Sequence, residues 1–310
     1  MEDWRRDIGK TLAGLIEGNV IMGEEIAPHT TYRIGGPADV FVEAESVDDL
    51  MKVAEFLQKH PAVPWQILGG GSNVLYPEHY RGLVIHPGNG LSEIKHEGNK
   101  ILAGAGAELM EVIKRAAQWG LGGMDFLAGI PGSLGGAVKG NAGAFGKWIS
   151  ECVDKVKMFN LSEGKVKELE RDEIEWSYRK TNISPTFFIY EIVLELKMYP
   201  VMECMDQISR TLAQRMARQP KEPSAGCVFV NPKPPEVTAG RLIDELGFKG
   251  RRIGDAMCSP MHANFIVNVG NATQSEVLAL IREIKEAVKE RFGYDLKEEI
   301  KIVKETNGGT

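Results

Sequence analysis

Two glycine-rich segments in the first half of the chain constrain its fold more than any other feature. Residues 68–74 read LGGGSNV, and residues 129–146 hold seven glycines in 18 positions, with apolar residues interleaved. Glycine lets the backbone adopt positive φ and approach a ligand closely, so that its N–H groups can line a phosphate. The fingerprints G-x-G-x-x-G and G-x-x-x-x-G-K-[ST] are absent, which argues against a Rossmann or P-loop site. The two loops are therefore either plain turns or a diphosphate cradle in another fold.

Composition narrows the class of protein. A chain of 310 residues predicts about two domains. Lys and Arg total 37 and Asp and Glu total 43, so the net charge of −6 gives no protein-wide basic field for nucleic acid. The first residues do not resemble a signal peptide, and no run of 18 apolar residues predicts a membrane span, so we expect neither a nucleic-acid nor a membrane partner.

The four cysteines indicate a reducing compartment. They are widely spaced, with no C-x-x-C pair and no Cys/His cluster, at Cys152, Cys204, Cys227 and Cys258. This spacing argues against a structural zinc site and a disulfide scaffold. We therefore expect no metal and a cytoplasmic location.

Apolar periodicity predicts mixed helices and strands, with the strands too close together for a strict Rossmann alternation. Helices are predicted at 46–60, 108–119, 205–216, 238–246 and 273–292. Strands are predicted at 63–68, 83–85, 100–105, 153–160, 165–169, 187–198 and 299–303. The character of the sequence changes near residue 203, where we place a domain boundary.

A set of motifs in fixed order identifies a family. They are TTYRIGGPA at 30–38, LGGGSNV at 68–74, GIPGSLGGA at 129–137, NAGA at 141–144, SYR at 177–179, AGCVF at 225–229 and EEI at 298–300. Together they resemble the UDP-N-acetylenolpyruvoylglucosamine reductases, flavoenzymes of bacterial wall synthesis, over roughly residues 28–304. Some relatives carry an extra segment with a tyrosine lid, and this chain resembles the shorter branch without it.

The resemblance implies both a fold and a reaction. The fold would be α+β, with a two-part FAD-binding fold of the p-cresol methylhydroxylase type and a separate α+β substrate domain. The implied limits are 1–86 with 298–310 for the first FAD subdomain, 87–203 for the second, and 204–297 for the substrate domain. The C-terminal strand would return to the first FAD subdomain. The implied reaction is the reduction of UDP-N-acetylglucosamine enolpyruvate to UDP-N-acetylmuramate, with non-covalent FAD as cofactor and NADPH as reductant.

The resemblance also implies which residues surround the FAD. They lie in the first motif and around the two glycine loops, and are Tyr32, Arg33, Gly69, Gly70, Gly71, Ser72, Asn73, Val74, Gly129, Ile130, Pro131, Gly132, Ser133, Gly136, Asn141 and Gly143.

Three residues at motif positions match the chemical needs of that reaction, which are a cation, an acid and a group that fixes geometry. Arg179 is either a surface guanidinium or the fork that holds the enolpyruvyl carboxylate. Cys227 stands where most relatives carry Ser, and is either a small buried apolar residue or the proton donor. Glu299 is either on a solvated strand face or near the enolate, where it orients water or shares a proton.

Four further residues match substrate positions of the family. Arg215 and Arg218, three apart at the end of a predicted helix, would either favour the helix dipole or bind phosphates. Asn231 and His262 match the substrate pocket, although a lone histidine is often structural.

Two other functions remain open at this point. An oxidase with the same FAD fold would keep the cofactor and change the reaction, but the region 204–297 and the motifs at Cys227 and Glu299 disfavour it. A sugar-nucleotide binder without catalysis would be colourless, whereas a flavoprotein is yellow. The sequence leaves the oligomeric state open.

Overall fold

The computed structural model describes residues 4, 8 and 11–304. The residues 1–3, 5–7, 9–10 and 305–310, which the predicted domain limits include, lie outside the described residues. The chain forms two compact units, the first made of residues up to Glu24 with Asp39–Gly70 and Gly82–Ala213, and the second made of Glu25–Ala38, Gly71–Arg81 and residues from Gln214 onward.

The α-helices confirm the predicted ones and add a short helix after the second glycine loop. They run over Val47–Lys59, Leu109–Gln118, Leu134–Lys139, Val201–Met216, Ala239–Glu245 and Gln274–Phe292. Their ends follow local signals. The Ser46 hydroxyl accepts a hydrogen bond from the Asp49 N–H at the start of the first of these helices. No helix among the described residues is long and apolar enough to cross a membrane.

The first unit contains two larger sheets. One is antiparallel throughout, in the order Lys165–Glu170, Val153–Asn160, Phe187–Glu195, Lys100–Gly104, Ile94–Glu97. The other has the order Asn19–Glu25, Pro37–Ala44, Tyr80–Pro87, Trp65–Ile67, and its last two strands are parallel. Each sheet shares a hydrophobic core with a helix, Leu109–Gln118 for the first and Val47–Lys59 for the second. The predicted strand 83–85 is thus part of a longer strand, because its flanking residues also find partners.

Three two-stranded ribbons complete the strands of this unit. They pair Gly143–Ala144 with Lys147–Trp148, Trp176–Ser177 with Lys180–Thr181, and Leu121–Gly122 with Lys197–Met198. The last pair corrects the single strand predicted at 187–198. That strand ends at Glu195, and after Leu196 the residues Lys197–Met198 pair with a different partner.

The second unit packs its longest helix against a three-stranded antiparallel sheet. The strands are Arg252–Ile253, Ala256–Cys258 and Ile266–Asn268. The helix Gln274–Phe292 begins with the predicted capping box, in which Thr273 and Glu276 exchange side-chain to backbone hydrogen bonds, and it ends at Gly293 with φ +76°. Its predicted inner face is buried, at Val277, Leu280, Ile281, Ile284 and Val288.

The C-terminal strand of this unit pairs with the end of the first glycine loop. Lys301–Ile302 runs parallel to Val74–Leu75. The predicted strand 299–303 is therefore too long, and its predicted alternation is wrong, because Ile300 and Val303 are both buried although period two places them on opposite faces. A bend at Ile300 changes the direction of the side chains.

Candidate active site

In the first unit, Ser133 joins the two glycine loops. Its hydroxyl accepts hydrogen bonds from the N–H of Gly70 at 3.1 Å and of Gly136 at 3.3 Å. The loops are so close that a Cβ on Gly69 would lie 2.6 Å from the Ser133 hydroxyl, and one on Gly70 would lie 2.5 Å from the Ser133 nitrogen. Glycine at these two positions is therefore a packing requirement. Gly132 has φ +117°, which side-chain-bearing residues rarely adopt.

The hairpin that carries Arg179 is hydrogen-bonded to Lys139, at the end of the helix Leu134–Lys139, and to Asn141. Asn141 Nδ2 donates to the carbonyl of Ser177 at 3.0 Å, and Thr181 Oγ1 donates to the carbonyl of Lys139 at 3.0 Å. Arg179 occupies the turn with φ +57° and is half-buried, with its guanidinium 5.7 Å from the centre of the Tyr178 ring. The turn thus fixes the direction in which this cation leaves the backbone.

The second unit contains the first motif, where Tyr32 and Arg33 differ sharply. Tyr32 is fully buried, and its hydroxyl has no hydrogen-bond partner among the described residues. Burial raises the pKa of this phenol, so it stays protonated. Arg33 is exposed and has φ +53°. Asn268 Nδ2 donates to the Tyr32 carbonyl at 3.2 Å and holds this segment in place.

The same unit brings Cys227, Glu299 and the predicted cofactor residue Asn73 together. The N–H of Glu299 donates to the carbonyl of Val228, next to Cys227, at 2.7 Å. Asn73 Nδ2 donates to the Glu299 carbonyl at 3.2 Å, and the Asn73 carbonyl accepts from the N–H of Lys301 at 2.9 Å. Cys227 and Glu299 are both half-buried. Two segments that are distant in sequence therefore run side by side, one with Cys227 and the other with Glu299.

Cys227 lines a cavity of about 670 Å³ that lies within this unit. Two predicted substrate residues, Asn231 and His262, line it as well. Asn231 Oδ1 accepts a hydrogen bond from the N–H of Ala239 at 3.0 Å, at the start of the helix Ala239–Glu245. Three of the candidate residues therefore line one cavity.

The His262 ring is held as a neutral imidazole. Burial lowers the pKa of His262. Its Nδ1 accepts a hydrogen bond from the N–H of Asn264 at 3.2 Å, which leaves the proton of the neutral ring on Nε2 as a donor. The ring also meets Phe265 edge to face, with the centroids 4.9 Å apart.

Charged residues that the sequence did not single out also line the cavity. Lys249 forms an ion pair with Asp244 at 2.6 Å, and Arg241 forms one with Glu245 at 2.8 Å. In the sequence, the region was notable only for the predicted helix 238–246 and the glycine that ends it. Neither feature indicates that charged side chains line a pocket. The cavity thus combines a thiol, a neutral imidazole and two ion pairs.

Arg215 and Arg218 differ from the prediction. Arg215 lies in the last turn of the helix Val201–Met216, but Arg218 lies two residues beyond its end, with its N–H bonded to the Arg215 carbonyl at 2.9 Å. They are therefore not both on one helical face. Neither side chain is among the described residues that line the cavity.

The described residues fit a dinucleotide cofactor. The two loops approach each other closely at Gly69 and Gly70, where the backbone carries no side chain. In the helix Leu134–Lys139, Gly136 is exposed. Asn141 is buried, and its Oδ1 has no hydrogen-bond partner among the described residues, so it can accept from a bound group. Across the described part of the chain, no group of three or more His, Cys, Asp or Glu side chains could hold a metal ion.

Comparison with known families defines the class of protein. The family model described as an FAD binding domain matches residues 38–170. The chain is therefore an FAD-binding protein of mixed α and β structure, and the predicted α+β class with an FAD-binding fold is confirmed.

Closer relatives define the family. The model described as the UDP-N-acetylenolpyruvoylglucosamine reductase C-terminal domain matches residues 219–303. Proteins with that reductase name are 39% identical over 297 residues in Desulforamulus reducens, covering 95% of this chain and 97% of that protein, and 37% identical over 290 residues in Bacillus subtilis, covering 92% and 94%. The crystal structure of the Thermus caldophilus reductase aligns with a TM-score of 0.79 and 34% identity, over 93% of this chain and 99% of that one. The chain belongs to the UDP-N-acetylenolpyruvoylglucosamine reductase family.

Proposed function

We infer that this chain catalyses the NADPH-dependent, FAD-mediated reduction of UDP-N-acetylglucosamine enolpyruvate to UDP-N-acetylmuramate, a step in peptidoglycan precursor synthesis. The family supplies the reaction. The observation that supports the residue assignment is that the Glu299 N–H bonds to the carbonyl of Val228, next to Cys227, and that Cys227 lines the cavity. FAD, when bound, supplies the hydride that it receives from NADPH.

Cys227 is proposed as the proton donor. Hydride addition to the alkene carbon distal to the carboxylate leaves an enolate-like anion, and the adjacent carbon then needs a proton. A thiol has an ordinary pKa near 8.5, so it releases a proton far more readily than a serine hydroxyl. Glu299, whose backbone is bonded next to Cys227, orients water or shares the proton.

Arg179 is proposed as the cation that stabilises the developing charge. Its guanidinium keeps its charge at all relevant pH values and presents a planar fork that matches a carboxylate. The turn conformation and the two hydrogen bonds from its hairpin to the preceding helix preset its position. A preset charge needs little reorganisation during the reaction, which is what makes such stabilisation effective.

The sugar nucleotide is proposed to bind in the second unit. Asn231 and His262 line the cavity, and the neutral His262 offers a donor at Nε2. Arg215 and Arg218 would bind phosphate oxygens.

The FAD is proposed to contact the residues that the family motifs indicate. These are Tyr32, Arg33, Gly69, Gly70, Gly71, Ser72, Asn73, Val74, Gly129, Ile130, Pro131, Gly132, Ser133, Gly136, Asn141 and Gly143. The loop packing around Ser133 and the unpartnered Asn141 oxygen support this assignment. A cytoplasmic location is proposed as well, since no disulfide joins the four cysteines.

One spectroscopic experiment tests the function. The purified protein is expected to be yellow, to release FAD and not FMN on denaturation, to bleach on anaerobic addition of NADPH, and to recover its colour on addition of the enolpyruvyl substrate. A colourless folded protein would identify a mere nucleotide binder. Recovery of colour with oxygen but not with the enolpyruvyl substrate would identify an oxidase.

A further inference from the structure

A buried asparagine clamps the segment that carries Cys227. Asn264 is 3% exposed. Its Oδ1 accepts a hydrogen bond from the N–H of Phe229 at 2.9 Å, and its Nδ2 donates to the carbonyl of the same residue at 2.8 Å. The Asn264 carbonyl also accepts from the N–H of Val228 at 2.8 Å. Both residues after Cys227 in the chain are therefore fixed by this one residue.

The same asparagine is bonded to the other side of the cavity. Its backbone N–H donates to His262 Nδ1 at 3.2 Å. Cys227, His262 and Asn264 line one cavity, and the carbonyl of Val228 accepts the N–H of Glu299. Asn264 thus connects the segments of three residues to which the proposed function assigns roles.

The paired amide bonds are directional and fully desolvated. An apolar side chain of similar size would fill the space but would leave the buried N–H and carbonyl of Phe229 without these partners, which is unfavourable. The segment would then move to find other partners. A displacement of about 1 Å in a catalytic group can cost roughly 100-fold in rate.

We propose that Asn264 is a positioning residue, whose side-chain amide holds the Cys227 segment against the His262 segment in the geometry that protonation of the substrate requires. This role rests on the proposed function. It concerns the reoxidation of the reduced enzyme by the enolpyruvyl substrate, and not the reduction of the enzyme by NADPH.

The substitution Asn264→Asp should make the position of the Cys227 segment depend on pH. A protonated carboxyl group can accept from the Phe229 N–H and donate to the Phe229 carbonyl, as the amide does. An ionised carboxylate directs a negative oxygen at that carbonyl instead. The ordinary pKa of an aspartate is about 4, and burial raises it, so the change of state falls at a pH above that value.

Other titratable groups surround Asn264, and they already contribute to the pH dependence of reoxidation in the unsubstituted protein. Glu298 forms a bridge pair with Phe229 on its other side. The titratable groups that line the cavity are Cys227, Arg241, Asp244, Glu245, Lys249 and His262. All of them are present in the unsubstituted protein, so a transition found only in the Asn264→Asp variant belongs to the new carboxyl group.

The test is stopped-flow measurement of both half-reactions on the FAD-loaded protein across pH 5–9. For Asn264→Asp we expect reoxidation close to the unsubstituted rate at low pH, and a reversible loss of roughly 100-fold as pH rises. Bleaching by NADPH should stay within about twofold throughout. Asn160→Asp is the matched control, because Asn160 is also buried and its Oδ1 accepts from the N–H groups of Ser162 and Glu163, two bonds that a carboxylate oxygen can also accept. It should follow the unsubstituted profile.

Two results would overturn the role of Asn264. Unsubstituted reoxidation rates at every pH would show that the amide positions nothing. An equal fall in both half-reactions, with loss of bound flavin, would show that Asn264 only supports the fold. If Asn264→Asp does not fold, Asn264→Ser removes the paired amide without a charge and should slow reoxidation at least tenfold with bleaching unchanged, and equal rates would refute the proposal. Failure of the unsubstituted protein to be reoxidised would instead refute the proposed function.

Discussion

At the scale of single residues, Cys227 is the most informative position because the two half-reactions separate its roles. Bleaching by NADPH involves no proton transfer to substrate, so Cys227→Ala should leave it nearly unchanged. Reoxidation by the enolpyruvyl substrate should slow by roughly 10²–10⁴, the usual effect of removing a general acid. Cys227→Ser should retain much of the activity, because a hydroxyl can occupy the same position. Equal impairment of both halves would assign Cys227 to the fold.

Arg179 tests the difference between a fork and a point charge. Arg179→Lys keeps the positive charge but loses the planar pair of donors. We expect turnover to fall by roughly 10²–10³, as for the loss of one preset electrostatic stabiliser. Steady-state kinetics on flavin-loaded protein measures this effect. The neighbouring, exposed Lys180 provides the control, since Lys180→Arg should leave turnover within about twofold. Near-normal turnover of Arg179→Lys would make Arg179 a surface residue.

The buried His262 side chain should make the free energy of unfolding depend on pH. Burial lowers its pKa in the folded protein, so below the ordinary value near 6.5 the unfolded chain binds a proton that the folded protein does not. The free energy of unfolding should therefore fall as the pH drops from about 7 toward the lowered pKa. His262→Gln should make this fall shallower, by at most about 1.4 kcal/mol per pH unit for one proton. Urea unfolding at pH 7.5 and 5.5 measures the difference, and parallel profiles would contradict it.

At this scale, motifs brought together residues that the structure places near each other, whereas their roles stay a prediction. Cys227, Asn231 and His262 do line one cavity. Asn264 and Lys249 were missed because a single asparagine or lysine has no signature of its own, and their importance comes from chain segments that only the fold brings together. The prediction that Arg218 lies on the helix was wrong. The helix ends at Met216, although Pro220 alone would allow it to continue through residue 218.

At the scale of secondary structure, helices were easier to predict than strands. Helix ends depend on residues within one turn, such as the Thr273 and Glu276 capping box, and these can be read locally. Strand limits depend on partners that are distant in sequence. The strand Lys301–Ile302 is short because only Val74–Leu75 pairs with it, and no local pattern indicates that partner.

Gly136, in the helix Leu134–Lys139, allows a test of whether the cofactor contacts this helix. A Cβ on Gly136 would meet only the Ser133 hydroxyl, at 3.4 Å, so Gly136→Ala fits the protein and should favour the helix. If the cofactor packs on this turn, the added methyl group should weaken FAD binding by about 1–3 kcal/mol, or roughly 5- to 150-fold. Gly132→Val is less decisive, because the φ of +117° at Gly132 makes any side chain there strained.

Gly140→Ala is the matched control for this test. Its Cβ would lie 3.4 Å from the Gly136 carbonyl, an ordinary contact, at the other end of the same helix. Fluorescence titration of the apoprotein with FAD compares the two variants. Equal affinities for FAD would remove Gly136 from the cofactor site.

At the scale of the whole molecule, the family models and the structural units divide the chain at different places. The FAD binding domain model covers 38–170 and the reductase C-terminal model covers 219–303. The second unit also includes Glu25–Ala38 and Gly71–Arg81, far earlier in the chain. The limits 1–86 with 298–310, 87–203 and 204–297 stay a prediction, whereas the return of the C-terminal strand to residues 74–75 is observed.

Removal of FAD should lower the stability of the whole protein. A ligand that binds only the folded state stabilises it by about 2.7 kcal/mol when its free concentration is 100 times the dissociation constant. We expect the apoprotein to unfold at a lower temperature than the holoprotein, and added FAD but not FMN to restore the difference. Thermal unfolding followed by circular dichroism measures this. Identical transitions with and without FAD would show that the cofactor does not bind the folded protein.

The pairing of Asn73 with Glu299 has a consequence for synthesis on the ribosome. The two residues are 226 positions apart, and the strand Val74–Leu75 finds its partner only at Lys301–Ile302. During translation, the early segments of the second unit leave the exit tunnel long before their partners exist. Leu75 and Tyr76, both fully buried in the folded protein, lack that cover until residues 299–302 have left the exit tunnel. A nascent chain stalled before Glu299 therefore lacks both that residue and the strand that pairs with Val74–Leu75, so this part of the second unit is completed only after residue 302 has been made.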